Sequence, residues 1–439
     1  MFKPSVLILG GLGQDGSRHL ITHLLSSNSS SIASTTSTTV QPSFVRIVDK
    51  YLIIPQADPM PSTVYLDKKT QQALRAAAQR GEAQYVQGNL LTQVTRAQAF
   101  THPDGAGKGF DVVFDFTGES DFDASEAVHV ERTLKLAIAL GQTAAESNVG
   151  VYVKVLPSQV KVTKGKVGDV GSGIAEPWGI RAQWHHEAAR SLGQVSGLNL
   201  ICIRPALFYG HATLTGITPR ALIGELYRHR GERLDFLWKE SLQVNTIHEQ
   251  DFCTAALHVA LWGHQQTRRE LLDFAGESFV STLKADNMVK NVTGAARKDK
   301  DVQIAVFETV DDSDTTQQDL ANIIAKVIGV DCGFHNSIVS SFAKMNMEDV
   351  LEDVNEKHIE GWGELLTASD PPISSTTPLS PNTPADLLQP FPIAFTNRKL
   401  KSIGWSPKHK LEPSVLENTI RSFKEEQIWP SAKPKSRKK

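Results

Sequence analysis

The apolar positions of this chain fall into short unbroken runs separated by helical spacings. Residues 5–9 (SVLIL) form the first run and predict a buried β-strand. Leu20, Ile21, Leu24 and Leu25 then share one face of a helix. FVRIVDK (44–50), AQYVQGNL (83–90), FDVVFDFTG (110–118), VGVYVKVLPS (149–158) and LNLICIRPALFYG (198–210) predict five further strands. Helical patterns lie between them at 68–80, about 124–147 and about 177–192, the last with Pro177 in a first turn that tolerates proline. Strand and helix alternate through residue 260, which predicts a doubly wound parallel sheet with helices on both faces.

From about residue 211 the alternation is lost. A helix is expected near 219–230, a short strand and helix over 242–263, a strand at 304–310, and helices at 317–328, 347–366 and about 411–427. The expected division is 1–260 as the main domain and 261–439 as a smaller mixed lobe that also draws on 211–245. Three segments read as additions to this plan: a Ser/Thr-rich insertion at 27–43, an insertion at 264–300, and a Pro/Ser/Thr-rich linker at 367–390. The compositions of 27–43, 367–390 and 431–439 predict mobility and dispensability for folding.

The first strand runs directly into GGLGQDG at 10–16. Strand, glycine turn and helix in that order are how a Rossmann fold grips a dinucleotide. Gly10 permits the tight turn, Gly13 lets backbone approach a pyrophosphate, and Gly16 lets the helix pack closely. The helix N-terminus at Gln14 and Asp15 offers free N–H groups to the phosphates. Asp49, at the end of the second strand, is the expected acceptor for the adenosine ribose hydroxyls. It follows Gly16 by 33 residues, and the 27–43 insertion accounts for the excess over the usual spacing of about 20. Asn89 and Leu90, after the third strand, are placed to touch the adenine, and the Thr117-Gly118 turn to lie beside the middle of the cofactor.

Composition narrows the picture. With 439 residues, 40% apolar and 21% charged, the chain suits a soluble globular protein. A formal charge of −2 supplies no field for nucleic acid or membrane, and no apolar run approaches the ~20 residues that span a bilayer. Cys202, Cys253 and Cys332 stand far apart, so neither a zinc site nor a disulfide framework is suggested. The first strand begins so near Met1 that no targeting peptide is expected, which makes the cytoplasm the expected compartment. The basic tail at 433–439 (KPKSRKK) keeps the nucleus as an alternative.

By the sixth strand several motifs agree. GGLGQDG, Asp49, Asn89, Thr117-Gly118, Ser158, RPALFYG (204–210) and NTIHEQDFCTAALHVAL (245–261) resemble the extended short-chain dehydrogenase/reductases, the NAD-dependent epimerase/dehydratase family. The resemblance covers roughly the first 260 residues, with a further strand and helix at 304–328, and reaches no motif in 330–439. It implies NAD as cofactor, held also by Arg204 and Pro205, and a substrate between the sheet's carboxyl edge and the smaller lobe. A sugar nucleotide or similar alcohol, undergoing reversible hydride transfer, is the implied substrate class. The expected partners are that small molecule and a second copy of the chain, with neither nucleic acid nor membrane.

One departure matters. The family places Ser/Thr after strand five and Tyr-x-x-x-Lys on the next helix. Ser158 is present, but PWGIRAQWHHEAAR (177–190) holds neither tyrosine nor lysine. One alignment sets Trp178 and Ala182 at those positions; the other sets Gly179 and Gln183 there and brings Glu187 into place. Ser158 and Gln183 are the candidate catalytic positions, yet none of the four residues standing in for the dyad has an acidic O–H or an ammonium. Nearby substitutes are Tyr152, Tyr209, His185, His186, Lys154, Lys161 and Lys164. His19 and His23 lack the glutamate of a zinc motif and read as solvated, and no G-x-S-x-G elbow surrounds Ser158. The rival to an epimerase/dehydratase-like oxidoreductase is therefore a catalytically silent NAD-binding regulatory or scaffold protein.

Overall fold

The computed structural model describes residues 2–26, 41–105, 107–122, 124–162, 175–283, 289–383 and 388–433. Most of the expected insertion at 27–43, the tail from 434 and Lys164 lie outside the described residues. The chain forms two compact units. The first comprises residues 1–205, 252–309 and 396–406; the second comprises 206–251, 310–395 and 407–439.

The first unit is built on one sheet of eight strands. In chain order they are β1 (Ser5–Leu9), β2 (Phe44–Asp49), β3 (Ala83–Gln87), β4 (Val112–Asp115), β5 (Val151–Val155), β6 (Leu200–Pro205), β7 (Gly276–Phe279) and β8 (Val302–Thr309). Across the sheet the order is β7-β8-β6-β5-β4-β1-β2-β3. Every pairing is parallel except β7 with β8. This is the doubly wound parallel sheet expected from the sequence, and its order reverses between β1 and β4, the switch point where such sheets bind ligands. All of β1 and β4 is buried, as continuous apolar runs in a two-faced sheet require. Helix α1 (Asp15–Ser26) buries Leu20, Ile21, Leu24 and Leu25, the stripe its spacing predicts.

Three local readings are corrected. The segment 264–300 is not only an insertion: α-helix Arg268–Ala275, started by a Thr267–Glu270 capping box, leads into β7 at the sheet edge. The chain thus returns to the first unit after residue 252, because β8 pairs with β6. Pro177 lies in the short strand Ala175–Pro177, and the helix begins two residues later, as Gly179–Gly193. His19 is buried and His23 half-buried, since both sit on the side of α1 that packs inward. The helix from Glu126 to Glu146 carries a π-helical stretch at Val130–Lys135.

The second unit pairs Leu207–Tyr209 with Thr246–His248 and Leu234–Phe236 with Cys332–Phe334, both parallel. Helices Thr218–Arg230, Gln317–Ile328, Ser337–Met345, Met347–Ala368 and Pro413–Glu425 surround them. The helix Ser337–Met345 had no counterpart in the sequence reading. Within 367–390, Leu379 and Thr383 are buried, and Asn355 exchanges two hydrogen bonds with Thr383. No described helix is long and apolar enough to cross a membrane.

Burial also sets a pH response. His186 stacks on Phe279 at 4.7 Å and donates from Nε2 to Val280 O, and burial lowers its pKa from 6.5 to about 4. Between those values the unfolded chain takes up a proton that the folded chain refuses. The contribution, roughly 3 kcal/mol, is present above pH 6.5 and lost as pH falls toward 4. Melting temperature measured against pH should therefore drop over that window, and His186→Asn, which can still donate to Val280 O, should flatten the drop. Equal slopes for both proteins would refute this assignment.

Candidate functional site

The sheet brings the sequence-derived positions to its carboxyl edge. Gly10 leaves β1 with φ +67° and donates its N–H to Val48 O at 2.8 Å. A Cβ on Gly10 would stand 2.9 Å from Thr117 Cγ2, so the turn needs glycine for both its backbone angle and its space. A Cβ on Gly16 would stand 3.1 Å from Phe252 and 3.2 Å from Phe116, so the close packing there is against two phenyl rings rather than against the strand. Gly13 is different: it is exposed, has no left-handed φ, and its nearest neighbour would be Tyr51 Oη at an ordinary 3.4 Å. Nothing among the described residues requires glycine at 13.

Around this loop the polar groups are ordered. Asp49 ends β2 with a buried carboxylate that accepts from Leu12 N–H at 2.9 Å and Lys50 N–H at 2.6 Å. Burial raises its pKa, while those backbone donors oppose the shift. Gln14 donates from Nε2 to Phe116 O at 3.1 Å. Asp15 turns its carboxylate inward to Arg18, which also faces Asp67 at 3.6 Å. Asn89 is exposed and accepts from Leu91 N–H at 3.0 Å, whereas the Leu90 side chain belongs to the core.

The Thr117-Gly118 turn rests on a buried polar cluster that sequence reading missed. Asp115, at the end of β4, accepts from Thr117 N–H (2.7 Å) and Thr117 Oγ1 (2.6 Å) on one oxygen, and from Tyr152 Oη (2.7 Å) on the other. Lys154, two residues along β5 from Tyr152, lies 3.0 Å from that second oxygen and donates to Thr117 O at 2.6 Å. Lys154 and Asp115 are 1% and 0% exposed, so the pair is shielded from solvent on every side. Burial and the adjacent Asp115 hold the Tyr152 phenol well above its ordinary pKa. Gly118 has φ +129°, and any Cβ there would overlap the His185 ring. Burial, then Lys154 and Arg181, keep His185 well below its ordinary pKa, so its imidazole is neutral. The available signal was a charge on each of two adjacent buried strands, VVFD and VYVKV, which must find each other.

The remaining positions are separate from that cluster. Ser158 is half-buried and accepts from Gln159 Nε2 at 3.1 Å; Gln159 O in turn receives the Trp178 N–H at 2.9 Å, which ties this turn to the start of helix Gly179–Gly193. Gln183, on that helix, donates to Thr282 O at 3.4 Å, and no hydrogen bond among the described residues joins it to Ser158. Gly179 has φ +81°, and Ala182 is buried. Arg204, buried at the end of β6, faces Glu308 at 3.3 Å and Glu277 at 3.8 Å, with Pro205 beside it. In the second unit Tyr209 stacks edge-on against His248, 5.2 Å between ring centres.

By sequence, no protein-family model and no curated protein matches the chain. By structure it is similar to a dTDP-glucose 4,6-dehydratase from Streptomyces venezuelae solved with NAD bound, at 14% identity and a TM-score of 0.56, over 97% of this chain and 99% of that one. A UDP-glucose 4-epimerase from Thermotoga maritima matches at 12% identity and a TM-score of 0.54, over 96% and 99% of the two chains. A UDP-N-acetylglucosamine 4-epimerase from Methanobrevibacter ruminantium M1 matches at 11% identity and 0.55, over 97% and 100%. The fold is that of the extended short-chain dehydrogenase/reductases.

Proposed function

We propose that this chain binds NAD(H) at the β1–α1 turn and acts by reversible hydride transfer on a polar alcohol, with sugar nucleotides as the substrate class. The observation that carries the binding is Gly13, a glycine that neither backbone angle nor packing demands, beside a buried carboxylate at the end of β2. Such a glycine makes sense where something outside the protein comes close to its backbone. In this reading Gly10, Gly13, Gln14, Asp15 and Gly16 receive the pyrophosphate, and Asp49 accepts from the adenosine ribose. Asn89 and Leu90 border the adenine, Thr117 and Gly118 border the middle of the cofactor, and Arg204 and Pro205 close the far side. The bound nicotinamide supplies the hydride acceptor or donor; Ser158 would orient the alcohol.

Asp49 favours NAD over NADP, because a carboxylate accepts from a 2′-hydroxyl and repels a 2′-phosphate. Arg46 offers no rescue for that phosphate: its guanidinium is engaged by Gln84 Oε1 at 2.9 Å and Ala99 O at 3.1 Å. Lys50, whose ammonium lies over the Tyr51 ring at 5.4 Å, is a nearby cation that a 2′-phosphate could meet. Calorimetric titration with both cofactors should show tighter NAD binding, and Asp49→Ala should reduce the preference. Tighter binding of NADP by the native protein would refute the choice.

A second reading, a silent NAD-binding regulatory or scaffold protein, is favoured by helix Gly179–Gly193. Its first turn offers Trp178, Gly179, Ala182 and Gln183 where an acid and an ammonium belong, and Lys154 and Tyr152 are too deeply buried to reach a substrate. General acid–base help is worth roughly 10²–10⁴-fold. On this second reading turnover of UDP- or dTDP-glucose is slow or absent while NAD still binds. Brisk turnover abolished by Ser158→Ala would favour the enzyme; brisk turnover that survives Ser158→Ala would locate the chemistry elsewhere.

A further inference from the structure

Helix Ser337–Met345 in the second unit is packed in the reverse sense of an ordinary amphipathic helix. Small residues occupy its inward side: Ala343 is buried, and the half-buried Ser340 donates from Oγ to Leu237 O at 2.6 Å. Its large apolar residues face out, with Ile338 and Met345 each 78% exposed and Phe342 56% exposed. Positions 338, 342 and 345 follow i, i+4, i+7, so the three form one stripe rather than scattered surface residues. The next helix, Met347–Ala368, contacts this one and follows it through the single residue Asn346. Glu348, Asp349, Glu352, Asp353, Glu356 and Glu360 are exposed on it, and none is in an ion pair among the described residues. Ile359, 56% exposed, lies within this acidic face. Lys357 is neutralised by Glu232 at 2.7 Å, and Lys344 is the cation of the first helix.

We propose that these two helices are a docking surface for a cationic amphipathic helix of a partner protein. The apolar stripe would take the partner's aliphatic side chains and the carboxylates its lysines or arginines, the helix-on-helix mode in which anchors recur at helical spacing. Charge decides between this occupant and the others. An anionic bilayer would be repelled by the carboxylates. A second copy docking through the same face would set carboxylates against carboxylates. The chain's own basic tail, KPKSRKK, has the right charge but no apolar residue to cover Ile338, Phe342 and Met345.

The test uses the full chain and, as probe, a fluorescent synthetic peptide of leucine and lysine at helical spacing, followed by anisotropy. The native protein should bind it, and a peptide with serine in place of leucine should not bind. Phe342→Ser with Met345→Ser should weaken binding by about tenfold or more. Asp353→Asn with Glu356→Gln should weaken it and flatten its salt dependence. Because all four side chains are exposed, the variants should melt like the native chain. Unchanged affinity in the Phe342/Met345 variant would overturn the proposal. So would self-association that this variant abolishes, which would make a second copy the occupant. A gain of about tenfold or more in peptide affinity on deleting residues 434–439 would give the surface to the tail and equally overturn it.

Discussion

Gly13→Val is expected to fold and melt like the native chain and to lose NAD affinity by about 100-fold or more, close to 3 kcal/mol of binding free energy. The fold tolerates the change because position 13 is exposed, with a φ that any residue adopts and ordinary contact distances to Tyr51 and Val64. Binding does not tolerate it because the new side chain would occupy the space left for the pyrophosphate. The neighbouring Gly10→Val gives the contrast: a left-handed φ and Thr117 against the new Cβ predict a destabilised protein as well as lost binding. Calorimetry and thermal melting on the two variants separate these effects. Native NAD affinity in Gly13→Val would overturn the placement of the cofactor, whatever became of Gly10.

Lys154→Met should destabilise the first unit strongly. It leaves Asp115 as a buried carboxylate without its cation, a loss of roughly 3–5 kcal/mol. At a few degrees per kcal/mol the melting temperature should fall by about 10 °C. Thr117 and Tyr152 would still donate to Asp115, which keeps the protein from failing altogether. Adding Asp115→Asn to Lys154→Met removes the stranded charge and should recover more than half of the loss. Thermal melts of the native protein, the single variant and the double variant test this directly. A single variant within a degree or two of native would show that the ammonium contributes little, and recovery in the double variant is the outcome that a simple loss of lysine packing would not produce.

Much of the candidate site was legible because its signals are local. Gly10, Gly13 and Gly16 sit in a strand–turn–helix whose apolar spacing is unmistakable, and Asp49 ends a run that can only be a buried strand. Asn89 and the Thr117-Gly118 turn follow from the same periodicity, since the carboxyl ends of parallel strands all emerge at one edge. The helix that should hold tyrosine and lysine was less well resolved. Its start had two registers, and the structure begins it at Gly179, after a short strand pairing Val160–Val162 with Ala175–Pro177. That pairing joins two three-residue segments and leaves no periodic trace in the chain.

The amino-acid sequence by itself determined strands β1 to β6 and their order along the chain, the glycine turn, the acidic end of β2 and the absence of an acid and an ammonium at the start of helix Gly179–Gly193. Each depends on residues within one turn or one strand, where spacing and side-chain type are sufficient. Only the tertiary structure decided that Asp115, Tyr152, Lys154 and His185 meet beneath the Thr117-Gly118 turn, that Gly276–Phe279 joins the sheet edge, and that helix Ser337–Met345 turns its apolar residues outward. These outcomes come from contacts between segments far apart in the chain. A buried charge is then placed by the partner it must find, and a helix face by what packs beneath it, and neither partner is a sequence neighbour.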